Sequence, residues 1–240
     1  MKNNVELNYL FDYDNLKIYQ MKDAFKFSLD SILLYEFMDI KRSDKNIIDL
    51  CSGNGVIPIL IAANNNKFVY GIEIQKEIYD LGILSISYNN LESKIELIND
   101  DVLNINNYFP GNNFDIVVSN PPYFKIVESS KLNKNILKRN ARHEILINLK
   151  QIFEKVDYLL KDHGVFYMVH IPERIQEIIS IASNYNLIIK EMQFITTNKG
   201  IYPILVLFKF VRNANIGCKV FKEINIDKKK SYKGIFRKDR

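Results

Sequence analysis

The sequence has few cysteines and no long apolar run. Cys51 and Cys218 are the two thiols of the 240-residue chain, too few for a disulfide framework. The longest apolar stretches, such as residues 56–63, are well short of the roughly 18 residues that span a bilayer. The first ten residues, MKNNVELNYL, contain no basic segment followed by an apolar run, as a secretion signal would. We therefore expect a reduced, cytoplasmic protein without a membrane segment.

Two common phosphate-binding motifs are also missing. Residues 49–55 read DLCSGNG. A dinucleotide-binding G-x-G-x-x-G would need a third glycine at position 58, where the chain has proline. No Lys-Ser or Lys-Thr pair follows, as a phosphate loop requires. The turn is glycine-rich but satisfies neither phosphate motif, and nothing in the sequence indicates a metal site or an obligate protein partner.

The chain alternates between predicted strands and predicted helices. Its length and its 47% apolar residues suffice for one substantial domain. Apolar runs predict strands over residues 46–51, 68–73, 95–99, 114–119, 165–170, 187–195 and 204–211. Helical spacing predicts helices over residues 56–65, 76–90, 143–162 and 173–186, the third of them stopping at Gly164.

This alternation predicts an α/β fold with a mostly parallel, seven-stranded sheet and helices on both faces. The last two strands share only a short link, residues 196–203, which is too short for a crossover helix. We expect these two strands to pair antiparallel. Sheets of this kind bind ligands beyond the carboxyl ends of their strands.

Acidic residues and glycines follow the first two predicted strands at that edge. Asp49 is at the end of the first strand, Glu73 ends the second, and Gly53 and Gly55 allow main chain to approach a ligand closely. Carboxylates suit an amine and ribose hydroxyls, whereas they repel a pyrophosphate. The pattern therefore points to an adenosyl cofactor that carries an amino acid.

The third predicted strand is followed by two further acids, Asp100 and Asp101. A carboxylate there is suited to accept a hydrogen bond from an adenine amino group. Asp101 is favoured because apolar Val102 follows it directly, and a simple turn acid is the alternative.

The fourth predicted strand stops abruptly at two prolines. Residues 115–125 read DIVVSNPPYFK, and Pro121 and Pro122 cannot donate to a sheet ladder and hold φ near one value. The backbone is therefore stiffened just beyond the carboxyl end of a strand. Taken alone, two prolines in a loop usually form no more than a rigid turn.

Positive charge is concentrated in two regions. Residues 209–240 contain 11 Lys or Arg against three Asp or Glu, and residues 125–142 contain six basic residues with Glu128 as the one acid. Such runs bind nucleic acid or another polyanion, or are simply solvated surface or a flexible tail.

Four motifs on this β-α order resemble those of the class I S-adenosylmethionine-dependent methyltransferases. They are D-L-C-S-G-N-G at 49–55, I-E at 72–73, N-D-D at 99–101 and N-P-P-Y at 120–123. N-P-P-Y is the signature of methyltransferases that act on planar exocyclic nitrogens of adenine, guanine or glutamine. F-K-F-S-L-D-S-I-L-L at 25–34 and A-R-H-E at 141–144 are similar to the bacterial tRNA1(Val) adenine methyltransferases, which modify the adenosine 3′ of the anticodon. The likeness extends to about residue 221.

The resemblance implies a Rossmann-like class I methyltransferase fold, S-adenosylmethionine as cofactor and tRNA as partner. It implies a segment covering the cofactor pocket (residues 1–45), a methyltransferase domain (46–212) and a basic tail (213–240). The residues expected to bind the cofactor are Asp30, Asp49, Ser52, Gly53, Gly55, Glu73, Asp101 and Asn120. The residues expected to contact the substrate are Tyr123, Phe124, Lys134, Lys138, Arg139 and Arg142.

Catalysis is assigned to Asn120, Pro121, Pro122 and Tyr123. The Asn120 side-chain oxygen and the Pro121 carbonyl are expected to accept the two hydrogens of an adenine amino group, which aims the nitrogen lone pair at the methyl donor. The prolines fix the direction of that carbonyl, and Tyr123 stacks on the base. We assign no general base, and His143 is expected to have a surface role.

Other functions remain open at this stage. A release-factor glutamine methyltransferase also carries N-P-P-Y, but it places a sizeable helical domain before the glycine turn, and here 48 residues precede Asp49. A guanine methyltransferase fits Tyr123 followed by Phe124 less well, and a DNA adenine enzyme would need room for a target-recognition domain. A catalytically silent RNA-binding relative is the alternative from a different class.

Overall fold

The computed structural model describes residues 5–22, 29–123 and 147–236. Elements are numbered in chain order within these ranges. The described strands are β1 (Val5–Leu10), β2 (Tyr13–Met21), β3 (Ile47–Leu50), β4 (Val69–Ile72), β5 (Ile95–Ile98), β6 (Phe114–Ser119), β7 (Leu160–His170), β8 (Leu187–Thr196), β9 (Leu205–Arg212) and β10 (Lys219–Asn225). The described helices are α1 (Leu29–Phe37), α2 (Val56–Asn65), α3 (Lys76–Tyr88), α4 (Leu149–Leu159) and α5 (Ile175–Ser183). None of these helices is long and apolar enough to cross a membrane.

The main sheet confirms the predicted α/β class and the antiparallel last pair. Its strand order is β10-β8-β9-β7-β6-β3-β4-β5. The strands from β7 to β5 run parallel to their neighbours, while β9 is antiparallel to both β7 and β8. The short link between β8 and β9 enforces this reversal, because a parallel pair would need a long crossover.

Both faces of the sheet are covered, which explains the continuous apolar runs of its central strands. In β7, Tyr167 and Val169 belong to a core that includes α1 and α2. The intervening Phe166 and Met168 belong to a second core that includes α4 and α5. Alternate side chains of one strand thus anchor the helices of both layers.

The sheet has eight strands where seven were expected. The additional strand β10 lies at the sheet edge and pairs parallel with β8. Its sequence, KVFKEIN, carries three charged side chains, as edge strands often do. Because of this charge, the segment was assigned to the basic tail and not to the sheet. The expected domain boundary at residue 212 therefore falls between two strands of one sheet.

The segment after β10 returns to the N-terminal part of the chain. The backbone N–H of Tyr232 donates to Asp12 in the turn between β1 and β2, and that of Gly234 donates to Glu36 Oε2 of α1 at 2.6 Å. The rings of Phe236 and Phe37 are in edge contact, with centroids 5.6 Å apart. Residues 232–236 therefore pack against the β1–β2 turn and α1, which both precede β3.

The helix expected over residues 143–162 is shorter than predicted. It begins at Leu149, where Asn148 and Gln151 form a reciprocal capping box, and residues 143–146 lie outside the described range. It ends at Leu159 because Leu160 already pairs with β6. Gly164, expected to stop the helix, lies inside β7.

The first two strands form a hairpin that the sequence analysis did not identify. Strands β1 and β2 pair antiparallel and pack on α3, where the backbone N–H of Tyr19 donates to Ser85 Oγ at 2.9 Å. The Asn54 side chain donates to the Tyr19 carbonyl at 3.0 Å. The hairpin thereby contacts the glycine-rich turn after β3.

Candidate functional site

The glycine-rich turn after β3 adopts left-handed backbone conformations. Cys51, Gly53 and Gly55 have φ values of 62°, 57° and 85°, a region in which glycine is unstrained. The turn is closed by hydrogen bonds from the Ser52 N–H to the Ile72 carbonyl and from the Gly55 N–H to the Ser52 carbonyl, both 3.0 Å. It leads directly into α2, and a Cβ on Gly53 would meet no atom within 4 Å.

Glu73, the first residue after β4, fixes this turn from the neighbouring strand. Its carboxylate accepts a hydrogen bond from the Gly53 N–H at 3.0 Å and from the Gln75 N–H at 2.8 Å. The side chain is buried. The two expected cofactor elements are therefore joined by a direct hydrogen bond between Glu73 and Gly53.

Asp49 is a buried acid beneath the turn. Its side chain is 1% exposed, and burial, followed by the negative charge of Glu73, raises its pKa well above the ordinary range. Asp49 Oδ1 and Ser52 Oγ are buried without a hydrogen-bond partner in the described part of the chain. A cation beside Asp49 would favour its charged form, so the site suits a ligand that brings a positive charge and hydrogen-bond donors.

Asp100 and Asp101, the two acids after β5, face in different directions. Asp101 accepts from the Leu103 N–H at 2.9 Å and lines a pocket beside Glu73. Asp100 is turned to Asn104 and Tyr108, whose hydrogen bonds lower its pKa, and it does not line the pocket. The geometry thus favours Asp101 as the acid that faces a ligand.

The pocket itself is a largely apolar slot of about 360 Å³, including its open mouth. Its lining residues are Cys51, Ile72, Glu73, Ile74, Asp101, Val102, Pro122 and Ile147. Burial and the nearby acids raise the pKa of the Cys51 thiol well above its usual value, so the thiol is neutral. Apolar walls with two acids, Glu73 and Asp101, are suited to a flat base with an amino group and an attached ribose. Val102 was used to favour Asp101, but the other apolar lining residues were not predicted, although Ile74 directly follows Glu73.

The N-P-P-Y segment begins directly after β6, at the same edge. The Asn120 side-chain N–H donates to Ser31 Oγ at 2.9 Å. The Tyr123 hydroxyl lies 2.8 Å from Asp30 Oδ2 and 2.7 Å from Asn120 Oδ1. Burial and the Asp30 charge raise the pKa of Tyr123 well above 10, so the phenol stays neutral.

Two residues in the first turn of α1 therefore hold the expected catalytic segment. Asp30, expected to bind the cofactor, contacts the Tyr123 hydroxyl, and the neighbouring Ser31 supports Asn120. From the other side, Arg174 donates to the Tyr123 carbonyl at 3.3 Å and is paired with Glu177. Ser31 and Arg174 were missed because their role depends on contacts between residues 51 and 89 positions apart.

The remaining expected substrate contacts lie outside the described residues. They are Phe124, Lys134, Lys138, Arg139 and Arg142, and His143 lies in the same part of the chain. Within the described ranges no group of three His, Cys, Asp or Glu side chains could hold a metal ion.

Comparison with known proteins adds a family and a set of relatives. A family model described as a methyltransferase domain matches residues 41–237. The tRNA1(Val) (adenine(37)-N6)-methyltransferase of Phocaeicola vulgatus is 26% identical over 208 residues, which cover 85% of each chain. The protein of the same name from Pedobacter heparinus is 29% identical over 182 residues, which cover 74% of this chain and 73% of the relative.

Solved structures show the same fold. A predicted O-methyltransferase from Agrobacterium tumefaciens superposes with a TM-score of 0.64 at 18% identity, covering 82% of this chain and 87% of that one. The Pyrococcus horikoshii protein TYW2, solved in complex with MeSAdo, has a TM-score of 0.60 at 14% identity and covers 88% of this chain and 73% of its own.

Proposed function

The chain belongs to the methyltransferase domain family, and on that premise we propose that it methylates the exocyclic 6-amino group of an adenosine in tRNA. The methyl donor is S-adenosylmethionine, and the target is the adenosine 3′ of the anticodon. Because the proposed substrate is tRNA, we place its action in the cytoplasm. The observation that carries the proposal is the N-P-P-Y segment at the sheet edge that also carries the buried acids Asp49 and Glu73, in a chain whose relatives are named tRNA1(Val) (adenine(37)-N6)-methyltransferases.

The residues at the strand ends fit S-adenosylmethionine, which supplies an electrophilic sulfonium methyl group when bound. Asp49, whose Oδ1 is buried without a partner in the described structure, would hold the ammonium group. Glu73 would accept ribose hydroxyls, since a carboxylate has about four lone-pair sites and two are used by backbone N–H groups. Asp101 and the apolar slot would hold the adenine ring.

The N-P-P-Y segment would activate the target nitrogen. An adenine amino group is a poor nucleophile because its lone pair is delocalised into the ring. Asn120 Oδ1 and the Pro121 carbonyl would accept the two amino hydrogens and localise that lone pair toward the methyl group. Both acceptors are held in place before reaction, by Ser31 and by the proline backbone, so little reorganisation is needed.

Tyr123 would stack on the base without acting as an acid or a base. The Tyr123 hydroxyl lies 2.7 Å from Asn120 Oδ1. The incoming amino group would therefore displace the hydroxyl from Asn120, and the hydroxyl would keep its hydrogen bond to Asp30. The amine becomes acidic only as the methyl transfers, so no strong base is required before attack.

A basic surface on the same edge of the sheet is suited to the tRNA backbone. Strands β7 and β8 run in the same direction, because both are antiparallel to β9, so the loop at residues 197–204 lies at the carboxyl edge. Ile201 and Tyr202 in this loop are 87% and 74% exposed. The Asn198 N–H donates to Asp227 Oδ2 at 2.7 Å, which joins the loop to the exposed lysines at residues 228–230. We propose that this surface contacts phosphates.

Replacing Lys228, Lys229 and Lys230 together by alanine is expected to weaken tRNA binding. The slope of log affinity against log salt should fall by about one for each phosphate that is no longer neutralised, as measured by fluorescence anisotropy. The matched control replaces residues 41, 42 and 45, which carry the same charge and are exposed before β3 at the opposite edge. Equal losses of affinity in the two triple variants would mean that net charge, not this surface, governs binding.

The proposed function is tested by nucleoside mass spectrometry. Unmodified tRNA is incubated with the protein and S-adenosylmethionine, and the digested nucleosides are compared with those of a reaction containing the Asn120→Ala variant. We expect 6-methyladenosine to form in the reaction with the native protein and not in the reaction with Asn120→Ala. Methylated guanosine in its place, or no methylated nucleoside, would contradict the substrate assignment.

A further inference from the structure

His170 is a buried side chain beside the catalytic segment that the steps above do not use. It is the last residue of β7 and is 0% exposed. Its imidazole centroid lies 5.0 Å from that of the Tyr123 ring. Strands β6 and β7 are parallel, with Ser119 opposite Met168. Continuing this register by two residues would bring Pro121 beside His170 at the carboxyl edge.

The hydrogen bonding of His170 determines which nitrogen carries its proton. The Ile171 N–H donates to His170 Nδ1 at 2.8 Å, so that nitrogen is an acceptor. Burial and the charge of Arg174 lower the pKa of His170 to about 4, against weaker opposing effects of the Ile171 backbone and Glu177. The imidazole is therefore neutral near pH 7, and its single proton lies on Nε2.

Within the described residues this Nε2–H is a buried donor without an acceptor. An unpaired buried donor is costly, and native structures rarely keep one without a reason. A histidine that only filled space would be replaced at lower cost by an apolar side chain. The surrounding backbone is also held in place, because Arg174 joins the Tyr123 carbonyl to Glu177.

We propose that His170 determines substrate specificity by donating its Nε2–H to a ring nitrogen of the target adenine. This inference rests on the proposed function. With the 6-amino group at Asn120 and Pro121, the ring nitrogens on either side of that group, N1 and N7, would be the acceptors nearest the end of β7. Both are acceptors in adenine. In guanine N1 carries a hydrogen while N7 is still an acceptor, so a fixed donor rejects guanine only where it meets N1, and we take N1 as its acceptor.

The test uses atomic substitutions in the RNA together with variants of the protein. Anticodon stem-loops are made with adenosine, 1-deazaadenosine or 7-deazaadenosine at the target position, each deaza base lacking one of the two acceptors. Binding and single-turnover methylation are measured for the native protein, His170→Ala and His170→Gln. Thermal melting and affinity for S-adenosylhomocysteine serve as checks of folding.

We expect 1-deazaadenosine to weaken binding and methylation by the native protein about tenfold or more, and 7-deazaadenosine to have a much smaller effect. That loss should disappear in His170→Ala, which should itself be slower on adenosine, and His170→Gln should restore part of the effect because it keeps a donor. If both deaza effects are the same in the native protein and in His170→Ala, the inference is wrong.

The same experiment separates this inference from the proposed function. A deaza effect on binding that depends on His170, without any methyl transfer, would support the role of His170 and contradict the methyltransferase assignment. Methyl transfer with deaza effects that are independent of His170 would support the function and overturn the inference. If His170→Ala does not fold, His170→Gln decides. A deaza effect that is smaller in His170→Gln than in the native protein would support the inference, and an unchanged deaza effect would contradict it.

Discussion

Asn120→Ala is expected to lower the rate of methyl transfer about a hundred- to a thousandfold, the range for loss of one preorganised acceptor in a transition state. Asn120 Oδ1 matters most as the amino nitrogen rehybridises, so turnover should fall by more than tRNA binding weakens. Affinity for S-adenosylmethionine should change little. Rates are measured under single-turnover conditions, and affinities by calorimetry.

Tyr123→Phe is the matched control for this prediction. The ring that stacks on the base is kept, while the hydroxyl that lies 2.7 Å from Asn120 Oδ1 is removed. Because stacking needs the ring and not the hydroxyl, the rate should stay within a few-fold of the native value. If Asn120→Ala turned over at a near-normal rate while it still bound cofactor and tRNA, N-P-P-Y would be only a rigid turn and the catalytic role of Asn120 would be wrong.

Glu73→Ala is expected to weaken S-adenosylmethionine binding by roughly 1.5–3 kcal/mol, the range for a hydrogen bond to a charged group. Two effects contribute to this loss. The proposed hydrogen bonds to the ribose hydroxyls disappear, and the Gly53 and Gln75 N–H groups lose the carboxylate that orients them. Calorimetric titration with the cofactor measures the change.

Asp100→Ala provides the comparison for Glu73. Asp100 is an acid at the same edge of the sheet, but its carboxylate is directed to Asn104 and Tyr108 and does not line the pocket. Its loss should leave cofactor affinity within about twofold, since it removes a screened charge and a hydrogen bond to the Asp101 N–H but no proposed contact to the cofactor. If Glu73→Ala and Asp100→Ala bind the cofactor equally well, Glu73 has no role in holding the ribose.

The elements before β3 and after β9 connect the periphery of the fold to the proposed catalytic segment. The Gly234 N–H and the Tyr13 hydroxyl both donate to the buried Glu36 of α1. The first turn of the same helix supplies Asp30 and Ser31, which contact Tyr123 and Asn120. The C-terminal segment and the N-P-P-Y segment therefore contact the same helix, α1, at Glu36 and at Asp30 and Ser31.

Local pattern was sufficient for much of the sheet and for where the site lies. The helix α2 and the strand β6 have the predicted bounds, residues 56–65 and 114–119, because continuous apolar runs of those lengths suit buried elements. Acids and glycines at successive strand ends were expected to meet, since parallel strands bring their carboxyl ends to one edge.

The errors occurred where long-range pairing overrides local composition. β10 is a lysine-bearing edge strand that becomes a strand only by pairing with β8. The helix α4 ends at Leu159 because Leu160 is paired with Phe114, although the apolar spacing continues. These pairings join residues far apart in the chain, and a period of 2 or 3.6 residues carries no information about them.

By itself the sequence determined the α/β class, the edge at which a ligand is expected, and the candidate residues Asp49, Glu73, Asp101 and Asn120, because each depends on residue type and position next to a strand end. Tertiary structure alone decided which other groups touch the site: Ser31 on Asn120, Arg174 on Tyr123, and His170 beside Tyr123. The reason is physical. Burial, pKa and an unpaired donor arise from atoms brought together by folding, and no short stretch of sequence contains them.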